Sequence, residues 1–279
     1  MRENFEIVRS RQNRTVVELC KLTDRKAREE RHLFRFDGIK LLTEALRNRL
    51  EIELVAVRES GLRSLDEAVV ANCGRSLFDG EWRTLVLTDE LFDKISEEKS
   101  PEGVICVAKY IDKFQKNITI YNSADFSVGP NDSVVLLESV RDPSNIGAVI
   151  RSAAAIGVDR LILSEDCADI YNPRAVRASM GTLFNQRIDR VKDLKEVIRM
   201  LRESGRRVYA AALHQHAEIL GELEVRTGDC VVIGNEGHGL SDETIASCDG
   251  CVMIPMTDRA ESFNAAVAAS ILMWEFVRK

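Results

Sequence analysis

The sequence predicts an α/β protein in two parts: a smaller N-terminal α/β domain and a C-terminal domain built on a mostly parallel sheet flanked by helices. Three observations carry this. Short apolar runs alternate with helical patterns along the whole chain. The runs of the second part are apolar throughout, as expected of strands buried on both faces of a parallel sheet. A polar stretch with turn residues separates the two parts. With 279 residues, 45% of them hydrophobic and 30% charged, the chain can fill one large core or two ordinary ones, and disorder as the main state is excluded.

In order, TVVELCKL (15–22) and DRKAREER (24–31) read as short polar helices, LFRF as a strand and Gly38 to Arg49 as a helix. EIELVAV (51–57), a helix near 64–72, RTLVLT (83–88), a helix near 89–98 and GVICVAK (103–109) continue the alternation. Tyr110 to Asp132 is polar apart from ITIY and suits a linker. A boundary near Ser127 therefore gives domains of 1–126 and 127–279, with the linker over about 110–132. The second domain runs VVLLE (134–138), a helix over 145–157, RLILS (160–164), a long helix around 191–204, VYAAAL (208–213), CVVIG (230–234), CVMIP (251–255) and a closing helix to Val277.

Between Met1 and Leu50 there are 13 Lys and Arg against 8 Asp and Glu, within a chain of formal charge -6. The basic end is the candidate surface for a polyanion such as RNA, although charges on polar helices also serve simply to solvate them. Seven scattered cysteines do not form a disulfide framework, so reduced thiols are expected. The opening residues lack the apolar stretch of a secretory signal, and no run of about 18 apolar residues occurs. A soluble cytoplasmic protein without membrane contact is the expectation.

In parallel sheets ligands bind outside the carboxyl ends of strands. Three segments there carry the chemistry. After VVLLE come Asn145 and Arg151, six residues apart and so on different helical faces unless Asn145 precedes the first turn. Asn145 can cap the helix or offer its amide to a ligand, and Arg151 can fork a phosphate. After CVVIG comes Gly234-Asn235-Glu236-Gly237-His238-Gly239-Leu240-Ser241, whose glycines permit close backbone approach. It lacks the Gly-Lys-Ser/Thr of a phosphate loop and the spacing of a dinucleotide fingerprint, and Glu236 suits a neutral or cationic ligand. After CVMIP comes Ile254 to Asn264, entering a helix that is apolar nearly all round, with Ser262 or Asn264 as its N-cap. Taken singly, each segment also reads as an ordinary capped turn.

Together, N-I-G-A-V-I-R, I-G-N-E-G-H-G-L-S and I-P-M-T-D-R-A-E-S-F-N-A-A-V-A resemble the three ordered motifs of the SpoU (TrmH-like) branch of the SPOUT RNA methyltransferases. The likeness spans most of 134–279, and S-R-Q-N-R-T-V-V-E-L-C-K-L-T-D-R-K-A-R-E-E followed by L-F-R-F-D-G resembles that family's accessory substrate-binding domain. The resemblance implies S-adenosyl-L-methionine-dependent methylation of a ribose 2′-hydroxyl in RNA, with ribosomal RNA favoured, by a homodimer with a trefoil-knotted cofactor pocket and no metal. It implies cofactor contacts at Leu213, Gly234, Ile254, Ser262, Phe263 and Ala265, and a methyl-transfer site around Asn145, Arg151, Glu236, Ser262 and Asn264. The alternatives are a transfer RNA 2′-O-methyltransferase and a catalytically silent RNA-binding protein of the same fold.

Physical chemistry agrees with that implication. Methyl transfer from a sulfonium needs alignment and exclusion of water. The alcohol is a weak nucleophile, so positioning or activation is essential. The resemblance places Arg151 beside that hydroxyl, as its base or as an orienting group; a guanidinium resists deprotonation, and Asn145 can hold either the Arg or the substrate. Many relatives have Gly at the position of Asp258 and Leu at that of Phe263, so loop shape and the adenine contact are expected to differ. Cys248 and Cys251 read as ordinary thiols near a turn. His214 and His216 read as a solvated loop, and His238 has no assigned role.

Overall fold

Asn13 and Asp24 each accept two backbone amides through a side-chain oxygen and so start two short helices, α1 (Arg14–Lys21) and α2 (Arg25–Arg31), behind the strand β1 (Phe5–Val8). They are followed by β2 (Leu33–Asp37), α3 (Ile39–Arg47), β3 (Ile52–Arg58), α4 (Leu62–Cys73), β4 (Arg83–Leu87), α5 (Asp89–Ile95), β5 (Val104–Lys109) and α6 (Ile111–Phe114). The five strands form a mixed sheet in the order β1-β4-β3-β5-β2. The structure, a computed structural model, describes all residues except 1–4, 115–117, 122–126, 130, 215 and 278–279.

Three of the six cations of α1 and α2 are paired on their own helices, in Arg14–Glu18, Arg25–Glu29 and Lys26–Glu30 ion pairs four residues apart. Arg28 is buried and donates to the carbonyls of Leu22 and Thr23, both at 2.8 Å. Part of the positive charge counted at this end is therefore committed within the fold.

The chain divides into two compact units, Met1–Lys116 with Tyr171–Asn185, and Asn117–Ile170 with Gln186–Lys279. A single cut near Ser127 does not describe this division, because Tyr171–Asn185 packs with the first unit. Tyr171 stacks on Tyr110 at 3.8 Å, and its hydroxyl takes the Ile111 amide and donates to Asp112. Phe184, beyond the short helix α8 (Pro173–Ser179), packs against Phe36. Aromatic burial holds the insertion in place.

The second unit is an eight-stranded sheet, parallel throughout, comprising β6 (Ile118–Tyr121), β7 (Val134–Leu137), β8 (Arg160–Ser164), β9 (Ile188–Val191), β10 (Val208–Ala211), β11 (Glu218–Ile219), β12 (Cys230–Ile233) and β13 (Gly250–Met253). Its order is β11-β13-β10-β12-β7-β8-β9-β6. The apolar stretch inside the expected linker is thus the edge strand β6, paired with β9. Four helices serve the sheet: α7 (Pro143–Ile156), α9 (Leu194–Glu203), α10 (Asp242–Ser247) and α11 (Ala265–Val277). Val197, Ile198 and Leu201 of α9 close one face over Leu136, Val208 and Val232. α11 packs on α7 and on β12. From β7 the chain proceeds through α7 to β8, while from neighbouring β12 it proceeds through α10 to β13 on the other side. The crevice between β12 and β7 is therefore a topological switch point, where open parallel sheets bind ligands.

On β8 and β9, Arg160 and Asp189 are both buried, with Arg160 Nη1 at 3.1 Å from Asp189 Oδ2 and also donating to the Ser127 carbonyl at 2.6 Å. Burial pushes the Asp189 carboxyl up to about 6, only partly offset by Arg160. The folded state therefore takes up a proton that an unfolded chain, with an aspartate near 3.8, does not. The contribution is complete below that lower value and is lost as pH rises through the folded one. Relative to Asp189→Asn, the wild type should gain about 2 kcal/mol of unfolding free energy between pH 7 and pH 4.5. Urea unfolding of both proteins across that range measures it, and a difference independent of pH contradicts it.

Candidate active site

β13, β10, β12 and β7 are consecutive neighbours, and their registers bring Val252 beside Ala211, Ala210 beside Val232 and Ile233 beside Leu137. Their carboxyl ends share one sheet edge. The loops that follow, carrying Ile254 to Asn264, Leu213, Gly234 to Ser241 and Glu138 to Asp142, must open onto that edge.

Between the loops runs a chain of side-chain hydrogen bonds. Asn264 Nδ2 donates to Asn145 Oδ1 at 3.0 Å, and Asn145 Nδ2 donates to Glu236 Oε1 at 2.9 Å. Glu236 also accepts the backbone amides of Arg141 and Asp142 at 3.3 and 3.4 Å. Burial pushes the Glu236 carboxyl up, but the hydrogen bonds from Asn145 and from backbone amides outweigh it and hold the group below the usual carboxylate range. Glu236 is an anion at neutral pH, and its oxygens accept hydrogen bonds from the β7 loop and from Asn145.

Three of the candidate residues, one from each motif, are thus joined directly. Asn264 also caps α11, with Oδ1 accepting Ala266 N at 3.0 Å and Val267 N at 3.3 Å; of the two candidate caps it is Asn264, not Ser262. Asn145 is not the cap of α7. That role belongs to Asp142, which accepts Ser144 N and Asn145 N, while Pro143 opens the helix. Asn145 therefore lies inside the first turn, and the six-residue spacing leaves Arg151 on another face. Asn145 holds Glu236 and Asn264 rather than Arg151. Arg151 is exposed and has no hydrogen bond or ion pair among the described residues.

The remaining candidates fall at the mouth and floor of the same edge. Gly234 and Ala265 are buried, Ile254 is half-buried, and Leu213 and Phe263 are 66% and 41% exposed. Two large apolar side chains left open beside strand-end backbone groups form a surface that a flat, uncharged ring would cover. Ser262 and Asp258 are exposed, with no hydrogen bond or ion pair among the described residues. His238 is exposed, and its backbone amide donates to Asn235 Oδ1 at 3.2 Å. His214 and His216 are exposed, with rings 5.9 Å apart. Burial pushes the Cys248 thiol up to about 12. Among the described residues no group of three or more His, Cys, Asp or Glu is arranged to hold a metal ion.

Asn235 escaped the sequence reasoning. Its Nδ2 donates to the Ser139 carbonyl at 2.7 Å, and its Oδ1 accepts the Gly237 amide at 2.8 Å, so it both folds the glycine loop and ties it to the end of β7. An Asn opening a glycine-rich turn was the available signal. Asp142 was legible too, since Asp before Pro is a helix-start pattern.

Comparison with known proteins follows the same division. A profile described as the SpoU rRNA Methylase family matches residues 132–274, and one described as the MRM3-like substrate binding domain matches residues 13–106. The chain is 26% identical over 267 residues to the 23S rRNA (guanosine(2553)-2'-O)-methyltransferase RlmP of Bacillus subtilis, covering 96% of this chain and 97% of that protein. It is 36% identical over 149 residues to the 23S rRNA (uridine(2479)-2'-O)-methyltransferase of Streptomyces viridochromogenes, or 52% of each chain. Among solved structures, the AdoMet-bound rRNA methyltransferase from Sinorhizobium meliloti superposes with a TM-score of 0.79 and 26% identity, covering 99% of this chain and 98% of that one. The SpoU methyltransferase AviRb from Streptomyces viridochromogenes, in complex with AdoMet, gives 0.78 and 26%, covering 96% and 98%.

The glycine loop closes through paired backbone bonds between Asn235 and Gly239, at 2.9 and 3.0 Å. A Cβ on Gly234 would lie 2.4 Å from the Gly239 carbonyl carbon, so the loop cannot close around any larger residue. Gly234→Ala should lose about 1–3 kcal/mol of stability, with the disturbance centred on residues 234–241. Thermal unfolding together with amide exchange of that loop measures it; an unchanged midpoint and unchanged exchange contradict it.

Proposed function

Because the chain belongs to the SpoU rRNA methylase family, we infer that it transfers the methyl group of S-adenosyl-L-methionine to a ribose 2′-hydroxyl of ribosomal RNA. The observation that carries this is the hydrogen-bonded chain Asn264–Asn145–Glu236, which joins the three motif loops at one sheet edge. The residues present fit the cofactor. Leu213 and Phe263 offer apolar cover, buried Gly234 lets backbone approach closely, and the loop backbones offer donors and acceptors for an adenine edge. S-adenosyl-L-methionine supplies a methyl group activated on a sulfonium.

In this reading the chain's own residues position the alcohol. Glu236 stays anionic and fixes which way the Asn145 amide points. Asn145 keeps one N–H and one oxygen lone pair for substrate, since each end of the amide makes a single bond within the chain. Arg151, uncommitted and charged, orients the ribose and its phosphate by a forked contact; it is a poor proton acceptor. Ser262 and the backbone near Phe263 and Ala265 line the cofactor side, and the loops around Gly234 and Ile254 follow the family's knotted path.

RNA is held by the first unit, over the part matched as a substrate-binding domain. A cleft of about 1230 Å3 there is lined by Arg47, Arg49, Arg75 and Lys109 beside Trp82, together with Glu51, Glu53, Asp79 and Glu81. Arg49 and Arg75 have no ion pair among the described residues. Cations and an aromatic surface suit unstacked RNA. A homodimer through α7 and α11 is part of the same reading. Val267 and Trp274, seven apart on α11, are 47% and 57% exposed, and Ser270 of α11 bonds Ser152 of α7, next to Arg151. A second copy on that face would enclose Arg151. A cytoplasmic location is part of the same reading, which the ribosomal RNA-modifying relatives support.

Tritiated S-adenosyl-L-methionine should label ribosomal RNA at a ribose 2′-oxygen. Arg151→Ala should cut the rate at least about 100-fold, as loss of a charged positioning contact does, with the cofactor affinity and the dimer seen in sedimentation unchanged. Label on a base or on protein, or a variant as active as the wild type, contradicts this function, and a monomeric wild type contradicts the dimer.

A further inference from the structure

Two consecutive residues at the carboxyl end of β7 bracket the glycine loop. Glu138 continues the ladder, with its amide donating to the Ile233 carbonyl at 2.8 Å, and its side chain reaches the far end of that loop. Glu138 Oε2 accepts the Ser241 amide at 2.9 Å; Oε1 accepts the Ser241 hydroxyl at 2.9 Å and the hydroxyl of Thr244, which is fully buried. Ser241 is in turn the N-cap of α10, with Oγ accepting Thr244 N at 3.2 Å. Ser139 holds the near end, its carbonyl taking the Asn235 side-chain amide. Ser139 does so at φ 54, a left-handed backbone uncommon for a residue with a Cβ. Its amide is held by Ser164 Oγ at 2.9 Å and its hydroxyl by Asp166.

The loop between these anchors is pinched shut by the Asn235–Gly239 pairing and carries Glu236, whose carboxylate orients Asn145. Its attitude relative to β7 is therefore set from outside, by residues 138 and 139. We propose that Glu138 is a positioning residue for cofactor binding, which through Ser241 and Thr244 holds residues 234–241 in the binding-competent position. This rests on the methyltransferase reading. The Glu138 carboxylate accepts three hydrogen bonds from within the chain, so its part is to hold the loop rather than to exchange a proton with substrate.

Removing the clamp lowers the fraction of protein whose loop is competent before cofactor arrives, and the apparent dissociation constant rises by that fraction. Saturating cofactor restores the competent loop, so turnover changes little. In Glu138→Ala the dissociation constant for S-adenosyl-L-methionine, measured by calorimetry, should rise about tenfold or more, the loss expected for hydrogen bonds to a charged acceptor. Turnover at saturating cofactor should stay within about threefold of wild type, because the remaining anchors persist. Glu138→Gln keeps an oxygen for the two hydroxyls and should recover most of the affinity. On a Ser241→Ala, Thr244→Val background, Glu138→Ala should cost clearly less than it does alone, since both hydroxyls it acts through are gone and the Ser241 amide is left. In the cofactor-free protein, amides 237–240 should exchange faster in Glu138→Ala.

A folded Glu138→Ala that binds cofactor within about twofold of wild type overturns the assignment; so does additivity on the double-variant background. Should Glu138→Ala not fold, the Ser241→Ala, Thr244→Val variant, which removes both hydroxyls that Glu138 holds, is read by the same twofold criterion. If the wild type itself binds no cofactor, the methyltransferase reading and this role fall together, while faster loop exchange in the variant would still register the clamp and so separate that failure from a failed clamp.

Discussion

Everything at the candidate site depends on four parallel strands ending together. β13, β10, β12 and β7 lie side by side, so the four loops that follow them leave the sheet at one edge. The connections after β12 and β7 depart in opposite directions, which opens a crevice between them. Asn264, Asn145 and Glu236 bridge that crevice with two hydrogen bonds. Such bonds specify geometry more than they stabilise, since each is worth about 1–2 kcal/mol net. The sheet brings the loops to the crevice, and the side chains lock their register.

Charge is distributed with a clear division of labour. Glu236 is held anionic by donors from the loop after β7 and from α7, and Glu138 accepts hydrogen bonds from α10 and its cap. Both carboxylates serve to hold structure. Arg151 has no hydrogen bond or ion pair among the described residues and follows on α7 directly before Ser152, which bonds Ser270 of α11. Arg14, Arg25 and Lys26 of α1 and α2 are paired with glutamates on their own helices. The cleft with Arg49 and Arg75 lies further along the same unit.

Most strands were legible because a parallel strand buried on both faces is apolar at every position, as VVLL, RLILS and CVVI are. The three motif loops were legible because Gly, Asn and charged residues interrupt those runs in order. What escaped depends on partners distant in sequence. Ile118–Tyr121 lies in an otherwise polar stretch and becomes a strand by pairing with β9. Tyr171 and Phe184 look like loop residues until Tyr110 and Phe36 are seen beside them. Asn145 was read as a cap or a holder of Arg151, yet Asp142 starts the helix one turn earlier, and the helical turn carries Arg151 elsewhere. The role of Glu138 could not be read at all, because its partners lie about a hundred residues away, beyond β12.

The most direct measurement is an isotope-filtered nuclear Overhauser experiment on the protein bound to S-adenosyl-L-methionine, with methyl and aromatic labels at Leu213, Ile254 and Phe263. Contacts from the cofactor's adenine and ribose protons to residues of all these loops in a single bound state are the predicted result. Contacts confined to one loop, or to residues of the first unit, would contradict the joint cavity on which the functional account stands.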